Sequence, residues 1–281
     1  MRSWAEPLFG IFLLSSVSLC EAQMCSPGEF SQNPSLCQIE SKARGGNPDA
    51  QYQLGLAFDK GSGVDKDCTK AARWYTLSAN HANAAAQNNL AVLYTTGCGV
   101  DRSDTEAAKW YLRAAAAGFA IAQNNLGHLY EIGRGVRQSD EAAVHWFREA
   151  ADQKFPPALA NLASHYMSGR GVEKNEAEAA RLERLAADEG FPAAEAAVGK
   201  MYLIGWHVDK SSDDALRWFR KAAEDGDAPA QNALGELNEQ GIGVPKNRKE
   251  AERWYEKAAA SGLASAQQNL DRLRKSLAVD R

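Results

Sequence analysis

Residues 122–136 read AQNNLGHLYEIGRGV, and variants of this stretch recur along the 281-residue chain every 36 residues. Its central leucine belongs to a repeating column of positions: Leu54, Leu90, Leu126, Leu162, Val198, Leu234 and Leu270. An alanine comes four residues before each member, and in most copies an aromatic residue comes four residues after it. Positions i, i+4 and i+8 lie on one stripe of an α-helix. Each copy therefore predicts one amphipathic helix, which we call helix A.

A turn and a second helix follow helix A in every copy. The turn carries a glycine and then a valine, as in Gly133 and Val136. Glycine just past a helix suits the left-handed conformation that ends it. Three residues after the valine comes a residue whose side chain can cap a helix: Asp67, Ser103, Ser139, Asn175, Ser211 and Asn247. The pattern predicts that a second helix, helix B, begins at this column.

Helix B carries a pair of aromatic residues in most copies. The first of the pair is a tryptophan in five copies: Trp74, Trp110, Trp146, Trp218 and Trp254. One helix pair cannot bury these rings alone, so neighbouring pairs must stack. We therefore predict an all-α solenoid of antiparallel helix pairs, with six 36-residue repeats over residues 46–261. A cap segment with one helix (23–45) precedes them, and a capping helix (262–281) follows.

The combined pattern, A-x-x-x-L-G-x-x-Y-x-x-G-x-G-V, a cap residue and A-x-x-W-Y-x-x-x-A, resembles the Sel-one-like repeat (SLR). This family is a relative of the tetratricopeptide repeat. The resemblance implies a right-handed superhelix that serves as a protein-interaction scaffold, with helix A lining its concave surface. It further implies that a protein or peptide partner binds at residues on helix A: Asn88, Asn89, Asn124, Asn125, His128 and Asn161.

Asparagine suits such a groove because its amide both donates to and accepts from a peptide backbone. An alternative interpretation has equal weight. In it these amides bond to each other between neighbouring A helices and stiffen the stack.

Two repeats depart from the pattern. Repeat 4 has Leu182 and Glu183 where the aromatic pair belongs, and repeat 5 has Trp206 and His207 in its turn. A tryptophan in a turn is a common partner contact, so we hypothesise that Trp206 and His207 contact the partner. Alternatively, Trp206 folds over the gap that the missing rings of repeat 4 leave.

The amino-terminal residues indicate export. An apolar run from Leu8 to Leu19 follows Arg2, and small residues at Cys20 and Ala22 suit signal-peptidase cleavage. The sequence predicts a signal peptide over residues 1–22 and a periplasmic or secreted protein of bacterial type, with no membrane span after cleavage. An uncleaved anchor is the alternative.

The mature chain would keep four cysteines: Cys25, Cys37, Cys68 and Cys98. An even number in an exported chain predicts two disulfides. The preferred pairing is Cys68–Cys98 with Cys25–Cys37. The two other connectivities, and four buried thiols, stay open.

Charge and motifs exclude several other functions. The net charge is −4 without a basic patch, which argues against nucleic acid as a partner. No zinc-protease, phosphate-loop or serine-nucleophile motif is present, and the five histidines occupy unrelated columns. We therefore predict a monomeric adaptor that is not an enzyme and has no cofactor or metal. The resemblance leaves two alternatives. One is an immunity-type protein that neutralises an effector, and the other is a cysteine-rich β-lactamase-like or penicillin-binding protein, whose S-x-x-K, S-D-N and K-T-G motifs are absent.

Overall fold

The computed structural model describes residues 33–279, with side chains for 33–276, and this part of the chain contains fourteen α-helices and no strand. Helix α1 (Pro34–Arg44) comes first and α14 (Ala264–Val279) last. The A helices are α2 (Pro48–Lys60), α4 (Ala84–Thr96), α6 (Ala120–Ile132), α8 (Pro156–Ser168), α10 (Pro192–Ile204) and α12 (Ala228–Gln240). The B helices are α3 (Cys68–Asn80), α5 (Asp104–Ala116), α7 (Asp140–Ala151), α9 (Glu176–Asp188), α11 (Ser212–Glu224) and α13 (Arg248–Ala260). The predicted all-α solenoid of helix pairs is confirmed. None of the described helices has the length and apolar character needed to cross a membrane.

Local chemistry fixes the helix ends. The glycine after each A helix of the six repeats is left-handed, with φ between 67° and 78°. Each B helix starts at its predicted cap. For example, Asp67 accepts the backbone N–H of Lys70 at 2.9 Å and Ser139 accepts that of Ala142 at 3.1 Å. These bonds satisfy amides that the first helical turn cannot pair internally.

Hairpins close where a small residue of helix A contacts an aromatic ring of helix B, as in repeats 1, 3, 5 and 6. Gly127 lies against the fully buried ring of Phe147, and a Cβ atom at Gly127 would come 2.7 Å from Cδ1 of that ring. Tyr255 packs in the same way on Gly235. The ring therefore lies directly on the backbone of helix A, and a larger residue at the glycine would push the two helices apart.

The described chain divides into two compact units, one ending at Ala114 and the other beginning at Ala115. Within each unit, a buried glutamine of helix A joins a repeat to the helix before it. In the first unit, Gln51 and Gln87 donate to the carbonyl oxygens of Ala43 and Ala79 at 3.1 Å. In the second unit, Gln231 donates to the carbonyl oxygen of Ala223 at the same distance. A buried carbonyl at a helix end needs a donor, and this amide supplies it.

Candidate functional site

The candidate site is a side of helix A that carries exposed and half-buried side chains. Helical spacing puts three sets of residues of the second unit on it, which we call the A face: 121, 125, 128 and 132 of α6; 157, 161, 164 and 168 of α8; and 193, 197, 200 and 204 of α10. All twelve side chains are half-buried or exposed. The A face therefore offers side chains from three consecutive repeats.

Polar side chains connect neighbouring A helices along this face. Asn161 donates through Nδ2 to Oδ1 of Asn124 at 2.8 Å, and the same nitrogen lies 3.1 Å from Nε2 of His128. The arrangement recurs at the last repeat, where Asn269 donates to Asn232 at 3.0 Å and to the carboxylate of Glu236 at 3.2 Å. In both places, one asparagine joins two residues of the preceding A helix. This geometry corresponds to the stiffening role considered from the sequence.

The six predicted groove residues do not all reach the surface. Asn88 and Asn124 are buried, being 6% and 7% exposed. Asn88 donates to Oδ1 of Asn89 at 3.1 Å, and Asn89 donates to the hydroxyl of Tyr75 at 3.1 Å. Asn125, His128 and Asn161 lie half-buried on the A face. A role for these six residues in binding a partner stays a prediction.

The carboxylate of Glu131, which the sequence did not single out, lies beside the hydrogen bonds of Asn161. Glu131 is 3.2 Å from Nδ1 of His128, 3.1 Å from Nη2 of Arg170 and 3.5 Å from Nε2 of His165. Arg170 also binds Asp140 at 2.8 Å, and this hydrogen bond lowers the pKa of Asp140. The cluster thus links α6, the start of α7 and the turn after α8.

His165 is the buried member of this cluster. Its Nδ1 donates to the carbonyl oxygen of Arg170 at 2.8 Å, and its side chain is 3% exposed. It occupies a column that holds leucine in several other repeats, including Leu93 and Leu129. A histidine in an apolar column was the sequence signal for this cluster. Among the described residues, no group of three or more His, Cys, Asp or Glu side chains could hold a metal ion.

Most of the exposed large apolar side chains of the described residues belong to A helices. Within the described chain, seven large hydrophobic side chains are exposed, and five of them belong to A helices: Val92, Ile121, Ile132, Met167 and Ile204. The two most exposed, Ile132 at 60% and Ile204 at 70%, end the A-face rows of α6 and α10. Exposed apolar surface of this kind is typical of a binding site when its members lie near one another.

The turn residues Trp206 and His207 lie against their own chain. Trp206 is half-buried on the core that contains Leu182, and its ring centroid is 4.7 Å from that of His207. Hydrogen bonds, first from Lys174 and to a smaller extent from Trp206, lower the pKa of Glu176 at the start of α9. His207 has a φ of 52°, a left-handed value at a turn position where the other repeats have glycine. Their contact with a partner stays a prediction.

The predicted Cys68–Cys98 disulfide is present, with a Cα–Cα distance of 5.3 Å. Cys37 is buried and also forms a disulfide. Its predicted partner, Cys25, and the predicted signal peptide over residues 1–22 lie outside the described residues.

The repeats match a known family along most of the chain. Six consecutive segments match the Sel1 repeat: residues 48–83, 84–119, 120–155, 156–191, 192–227 and 228–263. No curated protein matches the chain.

Solved structures agree with this match. One is c5321, a protective antigen present in uropathogenic Escherichia coli strains that displays an SLR fold, with 32% identity and a TM-score of 0.70. The match covers 87% of this chain but 52% of c5321, so the chain spans about half the length of that protein. A Sel1 repeat protein from Oxalobacter formigenes matches with 32% identity and a TM-score of 0.70, over 76% of this chain and 85% of its own. The immunity protein Pa5087 from Pseudomonas aeruginosa has 19% identity and a TM-score of 0.52, over 76% and 81% of the two chains, and shares the fold.

Proposed function

Because the chain belongs to the Sel1 repeat family, we propose that it is an exported scaffold that binds a segment of a partner protein along its A face. Sel1 repeats are typical of protein–protein interaction. The observation that carries the proposal is the exposure of Ile132 and Ile204, which end the A-face rows of α6 and α10.

Two physical properties of the A face favour binding. Burying exposed apolar surface contributes about 25 cal/mol per Å², and Ile132 and Ile204 supply such surface in repeats 3 and 5. The bonds of Asn161 to Asn124 and His128 hold neighbouring A helices in place before any partner arrives. A rigid surface loses less conformational entropy on binding than a flexible one. The proposed role is binding without catalysis, and turnover of a β-lactam by the pure protein would contradict it.

We expect the double variant Ile132→Glu/Ile204→Glu to lose its partner. Two carboxylates at these positions cannot be buried against an apolar segment without a large desolvation cost. Affinity should fall by on the order of tenfold or more, as for other central apolar contacts. The measurement is capture from a native envelope extract on immobilised protein, with the bound proteins quantified by mass spectrometry.

The matched control is Leu77→Glu/Leu112→Glu, which changes two equally large exposed side chains on B helices. The control should capture the same protein as the wild type. Loss of capture by the control together with retention by the A-face variant would contradict the proposed site. Circular dichroism of both variants should match the wild type, because all four side chains are exposed.

Export is supported by the disulfide and by the amino-terminal sequence. Disulfides such as Cys68–Cys98 persist in oxidising compartments outside the cytosol. We expect the protein purified from its native cells to begin at Gln23, which intact-mass analysis would show. Replacing Ala22 by Leu should leave the segment uncleaved, because signal peptidase requires a small residue there. A wild-type chain that retains Met1 and fractionates with the cytosol would contradict export.

A further inference from the structure

The tryptophan of helix B fills the junction between successive repeats. In the second unit, Trp218 of α11 packs on the core of the repeat before it. Two cations stack on its ring: Arg184 of α9 at 5.5 Å and Lys221 at 5.4 Å from the centroid. Trp254 of the next repeat likewise packs on the preceding core, under Lys257 at 4.3 Å. The usual occupant of this junction is therefore an indole ring covered by a cation.

The junction between repeats 3 and 4 lacks this ring, because its position holds Leu182. A groove of about 410 Å³ lies there between α7, α8 and α9. Leu159, Leu162 and Leu182 belong to its lining. One repeat later, the corresponding groove has a similar volume of about 380 Å³, but its lining contains Trp218 and no leucine, so the two grooves differ in lining rather than in size. We call the first of these the Leu182 groove.

The cation that would cover a ring is already in place in the Leu182 groove. Arg148 corresponds to Arg184, 36 residues later, and each is held by an equivalent tyrosine. Arg148 donates to the hydroxyl of Tyr166 at 3.2 Å, and Arg184 donates to that of Tyr202 at 2.6 Å. Trp206 packs on the core that contains Leu182 and lies beside Glu176, but it does not belong to the lining of the Leu182 groove.

We propose that the Leu182 groove is a docking site for an indole side chain presented by a partner protein. An indole there would rest on the leucines and lie under Arg148, as Trp218 lies under Arg184. On the rim, Arg181 pairs with Glu178 at 2.7 Å and Lys154 pairs with Glu189 at 3.6 Å, whereas Arg148 bonds to the neutral hydroxyl of Tyr166. Arg148 is therefore the rim cation that a partner's carboxylate can approach. The preferred ligand is therefore a tryptophan next to a carboxylate. This site is on the B-helix side and does not depend on the A face.

The test uses the full chain and the dipeptide N-acetyl-Trp-Glu, observed by NMR through the leucine methyl groups. We expect the dipeptide to shift the methyl signals of Leu159, Leu162 and Leu182. N-acetyl-Leu-Glu should bind at least tenfold more weakly because it offers no ring to the cation. Equal binding of the two dipeptides would overturn the proposal.

Two substitutions locate the site. Leu182→Trp fills the groove from within, so binding should fall at least tenfold while the thermal midpoint is kept or raised. Should Leu182→Trp not fold, Arg148→Gln replaces it, and the preference for tryptophan over leucine should then disappear. Undiminished binding of N-acetyl-Trp-Glu to the folded Leu182→Trp protein, or an unchanged preference in Arg148→Gln, would overturn the proposal.

Discussion

Removing the Cys68–Cys98 disulfide by the double variant Cys68→Ser/Cys98→Ser should destabilise the first two repeats by about 3 to 4 kcal/mol. The two cysteines are 30 residues apart in sequence. A cross-link that closes a loop of this length lowers the entropy of the unfolded chain, which raises the free energy of unfolding by about 3 to 4 kcal/mol. Cys68 begins α3 in repeat 1, and Cys98 lies in the turn after α4 in repeat 2. The bridge therefore joins two successive repeats at one edge.

Amide hydrogen exchange in α3 and α4 measures this effect directly. Losing about 3 to 4 kcal/mol of stability makes opening of these two repeats more frequent. We therefore expect the amides of α3 and α4 to exchange faster by a factor on the order of several hundred. Amides of α12 and α13 in the second unit serve as the internal control and should keep their rates. Equal protection of α3 and α4 in the variant and the wild type would contradict the predicted contribution.

Glu183 should make the stability of the protein fall as the pH rises from about 4.5 to about 7. It occupies the column that holds a buried ring in the other five repeats: Tyr75, Tyr111, Phe147, Phe219 and Tyr255. Burial raises the pKa of Glu183 to about 7 from its ordinary value of 4.5. The folded protein therefore holds this proton more tightly than the unfolded chain does. The stabilisation that protonated Glu183 contributes is complete below the pKa of this residue in the unfolded chain. It is lost as the pH rises through the pKa of Glu183 in the folded protein.

The size of this loss follows from the pKa shift, at 1.36 kcal/mol per unit, and amounts to about 3 kcal/mol at full effect. The free energy of unfolding should be measured between pH 4 and pH 8. Glu183→Gln removes the titrating group and should flatten the wild-type decline across this window. Parallel pH profiles for the wild type and Glu183→Gln would contradict the prediction.

Glu183→Tyr provides a second comparison because it restores the ring. Repeat 2 already combines Tyr111 with Ala91 at these two columns, and repeat 4 has Ala163 at the helix A position. The space that accepts a tyrosine in repeat 2 should therefore accept one here. We expect this variant to be more stable than the wild type at pH 8, where Glu183 is ionised.

The fold could be predicted because its determinants are local and periodic. The caps at Asp67 and Ser139 and the left-handed Gly133 each act within one turn of their own helix. Their spacing located the helices without knowledge of long-range contacts. The same register placed Cys68 and Cys98 at one edge, one repeat apart, and the disulfide there is confirmed.

The candidate site was less predictable because it depends on how neighbouring helices are rotated. The sequence showed Asn124 and Asn161 as similar polar residues, but their hydrogen bond depends on the angle between α6 and α8. The exposure of Ile132 and Ile204 was equally hidden, since an isoleucine at a helix end is compatible with a core position. The missing ring at Leu182 was visible in the sequence. Whether a neighbour fills the space could be learned only from the structure.

The glutamine that joins a repeat to its predecessor is absent at two junctions, because its column holds Leu159 in repeat 4 and Glu195 in repeat 5. Gln51, Gln87 and Gln231 each hold the end of the helix before them, whereas the same column has Leu159 at the start of repeat 4. The junction between repeats 3 and 4 therefore lacks the glutamine amide. It also lacks the tryptophan of helix B, because that position holds Leu182. Repeats 3 and 4 are joined instead by side-chain hydrogen bonds, from Asn161 to Asn124 and from Arg170 to Asp140. The connection that a buried amide provides elsewhere therefore depends here on polar side chains of the A helix and of the turn that follows it.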